Sequence, residues 1–311
     1  AGVYKYSESP DFEILLLAYA WGDGPVQIVD LAGGEEPPAE LLSDLTDPRC
    51  IKTAYNANFE RTCLAADLGL TMHPVQWRCT AVHAASLGLP RSLDQVAKTL
   101  NIEQQKMEAG KALIAYFSKP CKPTARNGQR TRNLPHHDPD KWALFKEYCK
   151  RDVEVERAIR ERLKRFTISG PEQALWSLDQ IINDTGVRVD KKLVKEAIKA
   201  DQEIKKRLEA EAIELTGLDN PNSIAQLKRW LEAAEDIEIE SLNKQTVPQL
   251  MKDTESDTVR RVLEIRRELG KTSVSKYAAL ARAMNEDGRI RGTMLFYGAR
   301  SGRWAGRIFQ P

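Results

Sequence analysis

Hydrophobic positions change their spacing several times along the chain, and each change predicts an element. Phe12 to Trp21 is a nearly continuous apolar run that reads as a buried strand, and Gly22-Asp23-Gly24-Pro25 supplies a turn. Val26 to Leu31 alternates apolar and polar residues, so it predicts a second strand and a hairpin. Gly33 to Pro38 is a loop, Pro38 to Leu45 a short helix, and Ile51 to Tyr55 a third strand. That strand runs through Asn56-Ala57-Asn58-Phe59-Glu60 into a helix over Arg61 to Leu68. Trp77-Arg78-Cys79-Thr80 leads to a helix through Ser86. Ser92, with Gln95 three residues on, opens another that reaches Leu100. The segment 119–137 holds Pro120, Pro123, Gly128 and Pro135 and predicts an irregular, exposed loop. Leu144, Phe145, Tyr148, Val155 and Ile159 then recur at helical spacing and predict an amphipathic helix from about Asp140 to Phe166.

The second half reads as helices with little strand. Leu175, Leu178, Ile181 and Ile182 mark one face of a helix from Glu172 to Asp184, ended by Gly186 and followed by a short strand over Val187 to Asp190. Lys191 to Leu215 is a long helix with Gly217 as its stop. Asn222-Ser223 caps a helix over Ile224 to Ala234, and Thr246 caps Val247 to Lys252. Asp257 or Thr258 opens a helix to Leu269, with a further segment from Thr272 to Met284. Asp287-Gly288 is a turn signal, and Ala299 to Arg307 is a loop rich in glycine and arginine.

Length and composition narrow the class. The 311 residues exceed one ordinary core and predict two domains. A mean hydropathy of −0.49, and no run near the ~18 apolar residues of a membrane helix, exclude a helical membrane protein. The polar start has no signal-type segment. Both ends read as cut, with a loop-like opening at Ala1 to Tyr6 and a stop at Ile308 to Pro311, so the chain reads as a fragment. Five scattered cysteines without a CxxC pair predict reduced thiols, a cytoplasmic setting and no zinc site. The net charge is only +2, but its distribution is uneven. Residues 109–137 carry Lys111, Lys119, Lys122, Arg126, Arg130 and Arg132 without an acid. Residues 289–311 carry Arg289, Arg291, Arg300, Arg303 and Arg307, again without an acid. Two such stretches suit a surface that follows phosphates, although either one alone reads equally well as a solvated loop.

Candidate chemistry gathers on the helix around Tyr148-Cys149-Lys150-Arg151-Asp152. Tyr148 and Asp152 are four apart and share a face, so a phenol and a carboxylate stand one above the other. Such a pair can hold a metal ion and orient a water. By itself it reads as a core aromatic and a solvated acid. Glu60 follows the carboxyl end of the third strand, where ligands gather in open α/β sheets, but on spacing alone it serves as a helix-dipole complement. His73, His83, His136 and His137 show no metal-ligand spacing.

The order of these motifs resembles a family A DNA polymerase of the phage or prophage polymerase I-like kind, from residue 1 to 311. Asn58-Phe59-Glu60-Arg61 resembles the second motif of its DEDD-type 3′–5′ exonuclease domain, and Tyr148-x-x-x-Asp152 the third, in the tyrosine version. Gly186 to Asp190 resembles the start of the polymerase domain, Asn222-Ser223-Ile224-Ala225-Gln226-Leu227 its thumb signature, and Ser301-Gly302-Arg303-Trp304 its Ser-Gly-Arg loop. The resemblance implies an RNase H-like α/β domain over 1–166, with a mixed sheet lacking its first strand. A mainly helical thumb and the first part of a palm would occupy 167–311. It implies two Mg²⁺ or Mn²⁺ ions ~3.5–4 Å apart in the intact parent, with Asp152 as a ligand, Glu60 bound through water and Tyr148 orienting the attacking water. It also implies contacts from Asn58, Asn222, Ser223, Arg300 and Arg303 to DNA, as primer–template or a single-stranded 3′ end, by a monomer.

Two departures limit what this chain can do. The family's opening Asp-x-Glu is absent, the early acids being Glu8, Asp11 and Glu13, and no palm carboxylates are present. The expectation is therefore a polymerase fragment with little or no activity of its own. The alternatives are a DNA-binding module without catalysis, or a stand-alone DEDD exonuclease, which the helical second half argues against.

Overall fold

Short polar side chains start most of the longer helices. The side chains of Ser92, Asp138, Ser169, Asp190, Ser223 and Ser256 each accept a hydrogen bond from a backbone N–H two or three residues on. Each such cap contributes about 1 kcal/mol. Gly69 and Gly217 close two helices in the left-handed conformation. The caps at Ser92 and Ser223 fall where the sequence places them. The helix beginning at Asp257 is capped by Ser256, one residue earlier than expected, because Ser256 is extended and its hydroxyl reaches the Val259 N–H.

A computed structural model describes residues 2–103, 110–271 and 274–308. The predicted ends at Ala1 and 309–311, and the predicted helix start at Thr272, lie outside the described residues. In order come α1 (Val3–Ser7), β1 (Leu17–Tyr19), β2 (Gln27–Val29), α2 (Ala39–Thr46), β3 (Lys52–Ala54) and α3 (Ala57–Leu68). They are followed by β4 (Trp77–Cys79), α4 (Thr80–Ser86), α5 (Leu93–Thr99), α6 (Gly110–Phe117), α7 (Pro139–Leu163), α8 (Gly170–Thr185) and β5 (Val187–Arg188). Then come the helices α9 (Lys191–Thr216), α10 (Ile224–Glu235), α11 (Thr246–Asp253), α12 (Asp257–Leu269) and α13 (Ser275–Ala283). The short strands β6 (Arg289–Ile290), β7 (Met294–Leu295) and β8 (Ala305–Gly306) close the described chain.

The protein is mostly helical, with small sheets. The predicted hairpin forms, with β1 antiparallel to β2 and Leu17 opposite Val29. β3 runs parallel to β4, with Lys52 opposite Trp77. Among the described residues these remain separate two-stranded pairs and do not join into the single mixed sheet the sequence suggests. Part of the reason lies in the apolar run: only Leu17–Tyr19 is strand, because the Ile14 N–H donates to Asp67 and the Leu15 carbonyl accepts from Ala32. The opening Val3–Ser7 is a helical turn packed on α3, where a loop was expected. Helix α6 has no counterpart in the expectation.

The chain divides into two units. Residues 1–187 and 285–311 form the first, and 188–284 the second, so the last segment returns to the first unit. The hydrogen bonds say why: Asn183 on α8 both donates to and accepts from Met294, and Trp304 donates to Asp179. Within the first unit, α7 carries an aromatic ladder. Phe117 of α6 lies 4.8 Å from Trp142 and 5.5 Å from Phe145, and Phe145 stacks 6.2 Å from Tyr148. Contacts of this kind add roughly 0.5–1.5 kcal/mol each beyond burial. Within the second unit, Leu227, Leu231, Val247, Val259, Val262 and Leu263 make a core, while Leu208 and Ala212 of α9 pack on Ile265 of α12. The Arg261 guanidinium grips Glu211 at 2.6 and 2.9 Å.

Candidate functional site

Helix α7 carries Tyr148, Asp152 and Glu156 at four-residue steps, so all three lie along one face. Burial pushes the Tyr148 phenol above its ordinary range, and Asp152 adds to this, since its carboxylate accepts a hydrogen bond from the Tyr148 hydroxyl. Glu156 accepts a bond from the hydroxyl of Thr80, at the start of α4. Burial raises the Glu156 carboxyl, opposed by that bond and by Arg160 and Arg157. Glu60, on the first turn of α3, belongs to the same neighbourhood. Its carboxyl is pushed up to about 7, chiefly by desolvation and then by the charges of Glu156 and Asp152. The Glu60 Oε2 atom is buried without a hydrogen-bond partner. Glu60 and Asp152, separated by about ninety residues in sequence, are thus near enough for one charge to act on the other, and Tyr148 bonds Asp152.

Close packing fixes this face. A side chain added at Gly110 would collide with the Tyr148 ring, so only glycine lets α6 approach α7 there. The Cys149 thiol, pushed up to about 11 by burial, is bonded by the Ala18 backbone and ties α7 to β1. Asp30 accepts from the Trp142 indole at 2.7 Å and pairs with Lys146 at 3.2 Å. The early acids do not join the cluster: Glu8 bonds Lys5, Asn285 and the Glu286 N–H, and Glu13 pairs with Arg132. Among the described residues, no group of three or more His, Cys, Asp or Glu is arranged to hold a metal ion.

The predicted DNA contacts fall on both units. Asn58 accepts a bond from the Tyr4 hydroxyl at 3.2 Å, beside the Tyr4–Asp184 bond at 2.7 Å and the Arg61–Asp184 pair at 2.6 Å. Asn222 is exposed and donates to Glu209, while Ser223 caps α10. Gln226, whose N–H donates to Ser223, is one of the residues that line an open hollow of about 430 Å³ with Gly217, Leu218, Asp219, Arg229 and Trp230. In the first unit Arg300, Arg303 and Arg307 are exposed, and Arg303 Nε donates to the Ser301 hydroxyl at 3.1 Å. In the basic loop Arg130 is engaged by Asn133 and the Asn127 carbonyl and Arg132 by Glu13, whereas Lys119, Lys122 and Arg126 are exposed.

A second polar centre escaped the sequence reading. Asp179 accepts from Trp304 Nε1 at 2.7 Å, from Gln180 at 3.0 Å and from Asn183 at 3.1 Å. Burial pushes its carboxyl up to about 6, against the lowering by these donors. The network pins the strands flanking the Arg300–Arg303 loop, and Arg91 adds bonds to the Phe296 and Tyr297 carbonyls. Glu156, Thr80 and Gly110 were missed as well. The one legible signal was the fourfold spacing, which extends from Tyr148 and Asp152 to Glu156 and recurs at Asp179 and Asn183.

Comparison with solved proteins identifies the class of fold as a polymerase domain. The chain is similar to the structure described as the POL domain of Pol1 from M. smegmatis in complex with DNA primer-template and dNTP, with a TM-score of 0.56 and 18% identity over 94% of this chain and 48% of that one. At that identity the likeness speaks for the fold. In sequence the chain is 58% identical to the DNA polymerase of Bacillus phage SP02 over all 311 residues, which span 48% of that protein. The chain is thus related along its whole length to a phage DNA polymerase, and spans about half the length of that curated relative. No protein-family model matches it.

Proposed function

We propose that these residues are the proofreading and thumb portion of a family A, phage-type DNA polymerase, acting on DNA in the cytoplasm of a bacterial host as a monomer. The observation that carries this is the 58% identity to a phage DNA polymerase along the entire chain. In this reading residues 1–166 are a 3′–5′ exonuclease-like domain of RNase H-like ancestry, and 167–311 begin the polymerase domain. The influence of the Asp152 charge on Glu60, with Asp152 itself bonded by Tyr148, supports it, because residues far apart in sequence then act on one another as the two exonuclease motifs require.

The donor chemistry suits a hard cation such as Mg²⁺ or Mn²⁺, since the facing groups are carboxylates and a phenol. Among the described residues the set does not make a two-ion site: Asp152 is bonded by Tyr148, Glu156 is held by Thr80, and Glu8 and Glu13 are committed elsewhere, which leaves Glu60 beside them. No hydrolytic step is therefore assigned to this chain through metal ions. What its residues do is bind and orient. Tyr148 fixes the Asp152 carboxylate, and Glu60, with its high affinity for a proton, stands neutral or charged near neutral pH. DNA engagement falls to the exposed arginines of the 300–307 segment and to the Asn222–Ser223 corner, with the Ser223 hydroxyl already occupied as a cap.

The purified chain is expected to bind a primer–template duplex with strong salt dependence. It should degrade a single-stranded 3′ end negligibly with Mg²⁺ or Mn²⁺. Fluorescence anisotropy and a gel assay read the two. Absence of duplex binding at low salt would refute the polymerase reading. Robust degradation that a Glu60→Ala/Asp152→Ala double variant abolishes would refute the inactive-exonuclease part.

A further inference from the structure

Helix α8 is built inside out. Ser177, Asp179, Gln180 and Asn183 on its polar face are 2–5% exposed, together with Trp176. Leu175, Leu178, Ile181 and Ile182 on its apolar face are 38%, 47%, 48% and 42% exposed. A surface helix ordinarily turns these faces the other way. The arrangement is not a register that could slip, because the buried face is bonded in detail. Asp179 takes Trp304, Gln180 and Asn183, Asn183 also holds both backbone groups of Met294, and Gln173 donates to the Trp77 carbonyl. Rotating α8 to bury its leucines and isoleucines would strand these groups.

Four branched side chains at successive helical steps, continued by Val187 at 58% exposure, form a contiguous apolar strip of the kind that marks an interface. Nucleic acid is a poor occupant. Residues 170–187 contain Glu172, Asp179 and Asp184 but no lysine or arginine. Two comparisons point to an occupant of a different kind. The phage relative matches along this entire chain, yet only 48% of its own length is spanned, and the solved polymerase domain is likewise spanned over 48%. Both proteins therefore carry a comparable length of polypeptide beyond the part matched here.

We propose that the Leu175–Leu178–Ile181–Ile182 strip of α8 is the seat for the other half of such a polymerase, which packs an apolar surface on it. This rests on the reading of the chain as part of a polymerase. The inside-out helix is explained if α8 is sandwiched, with a polar network on one side and an apolar junction on the other.

The test mixes the 311-residue chain with the longest continuous stretch of the Bacillus phage SP02 polymerase that it does not match, produced as a separate polypeptide, and measures association by calorimetry and size-exclusion chromatography. A 1:1 complex is expected. Leu178→Glu/Ile182→Glu should weaken it at least 100-fold while leaving circular dichroism and DNA binding unchanged, and the milder Leu178→Ser/Ile182→Thr should weaken it about 10-fold. No complex with the unaltered chain overturns the proposal, as does a complex that both variants leave intact. Self-association of the chain that the variants abolish also overturns it, because the strip then seats a second copy. DNA binding is read separately, so a chain that forms the complex but binds no duplex would count against the functional reading and not against the seat.

Discussion

The Trp304 indole nitrogen donates to the Asp179 carboxylate at 2.7 Å across 125 positions of sequence. That bond fastens the end of an arginine-bearing loop to the buried side of a helix. It makes the loop's position a property of the core and not of the loop itself.

Protonation of Asp179 should be visible in stability. Its ordinary value is 3.8 and the folded protein holds it at about 6, so between these values the folded state binds more protons than the unfolded one. Stability contributed by this group is greatest below about pH 4 and is lost as the pH rises through about 6. Urea denaturation from pH 4 to 7 should show that slope. Asp179→Asn should flatten it, and should cost about 1–3 kcal/mol because an amide nitrogen then faces the Gln180 and Asn183 donors. An unchanged slope in the variant would assign the titration elsewhere.

Gly186 should tolerate no side chain. It ends α8 at φ +64°, and an added Cβ would approach the Ile290 carbonyl oxygen to 2.6 Å. Gly186→Ala combines a left-handed strain with a backbone clash, and a loss of about 2 kcal/mol or more is expected in urea unfolding. Gly217→Ala is the control: it shares the sign of φ but has open space around it, so it should lose only about 1 kcal/mol.

Arginines 300, 303 and 307 should act through charge. Each Arg→Ala change is expected to reduce the slope of log affinity against log salt by about 1 on a primer–template duplex, with little dependence on its sequence. Anisotropy titrations between 50 and 200 mM salt measure this. A loss confined to particular base sequences would instead mean that an arginine reads base edges.

Much of the helical framework was legible, because caps and stops are local chemistry. Ser92 with Gln95, Ser223 with Gln226, and the stops at Gly186 and Gly217 all stand where the residues imply. The Tyr148–Asp152 stack was legible for the same reason. Pairing between strands was not, since three-residue strands such as Lys52–Ala54 acquire their partner through tertiary contact alone. Helix α6 was not announced in the sequence, since residues 104–109 include no Ser, Thr, Asp or Asn to signal a start. The periodicity of Leu175, Leu178, Ile181 and Ile182 identified a helix but said nothing about which face is buried. The buried face is set by Asn183 and Asp179 meeting residues more than a hundred positions away. The hint was in the sequence all the same: Trp176 stands among the polar positions, and an amphipathic surface helix does not place its largest apolar residue on the wet side.

The return of residues 285–311 to the first unit sets a schedule for synthesis. Asn183 is translated 111 positions before Met294, and Asp179 125 positions before Trp304. At ribosomal speeds of roughly 5–20 residues per second, the inward side of α8 waits on the order of ten seconds for the groups that satisfy it. Over that interval Trp176 and Gln173 can already seat on the earlier residues around Trp77, while Asp179 and Asn183 still lack Trp304 and Met294 and the apolar flank is exposed. A chaperone that holds the leucine side, or a pause in translation before the second unit, would favour the native orientation when Met294 and Trp304 arrive.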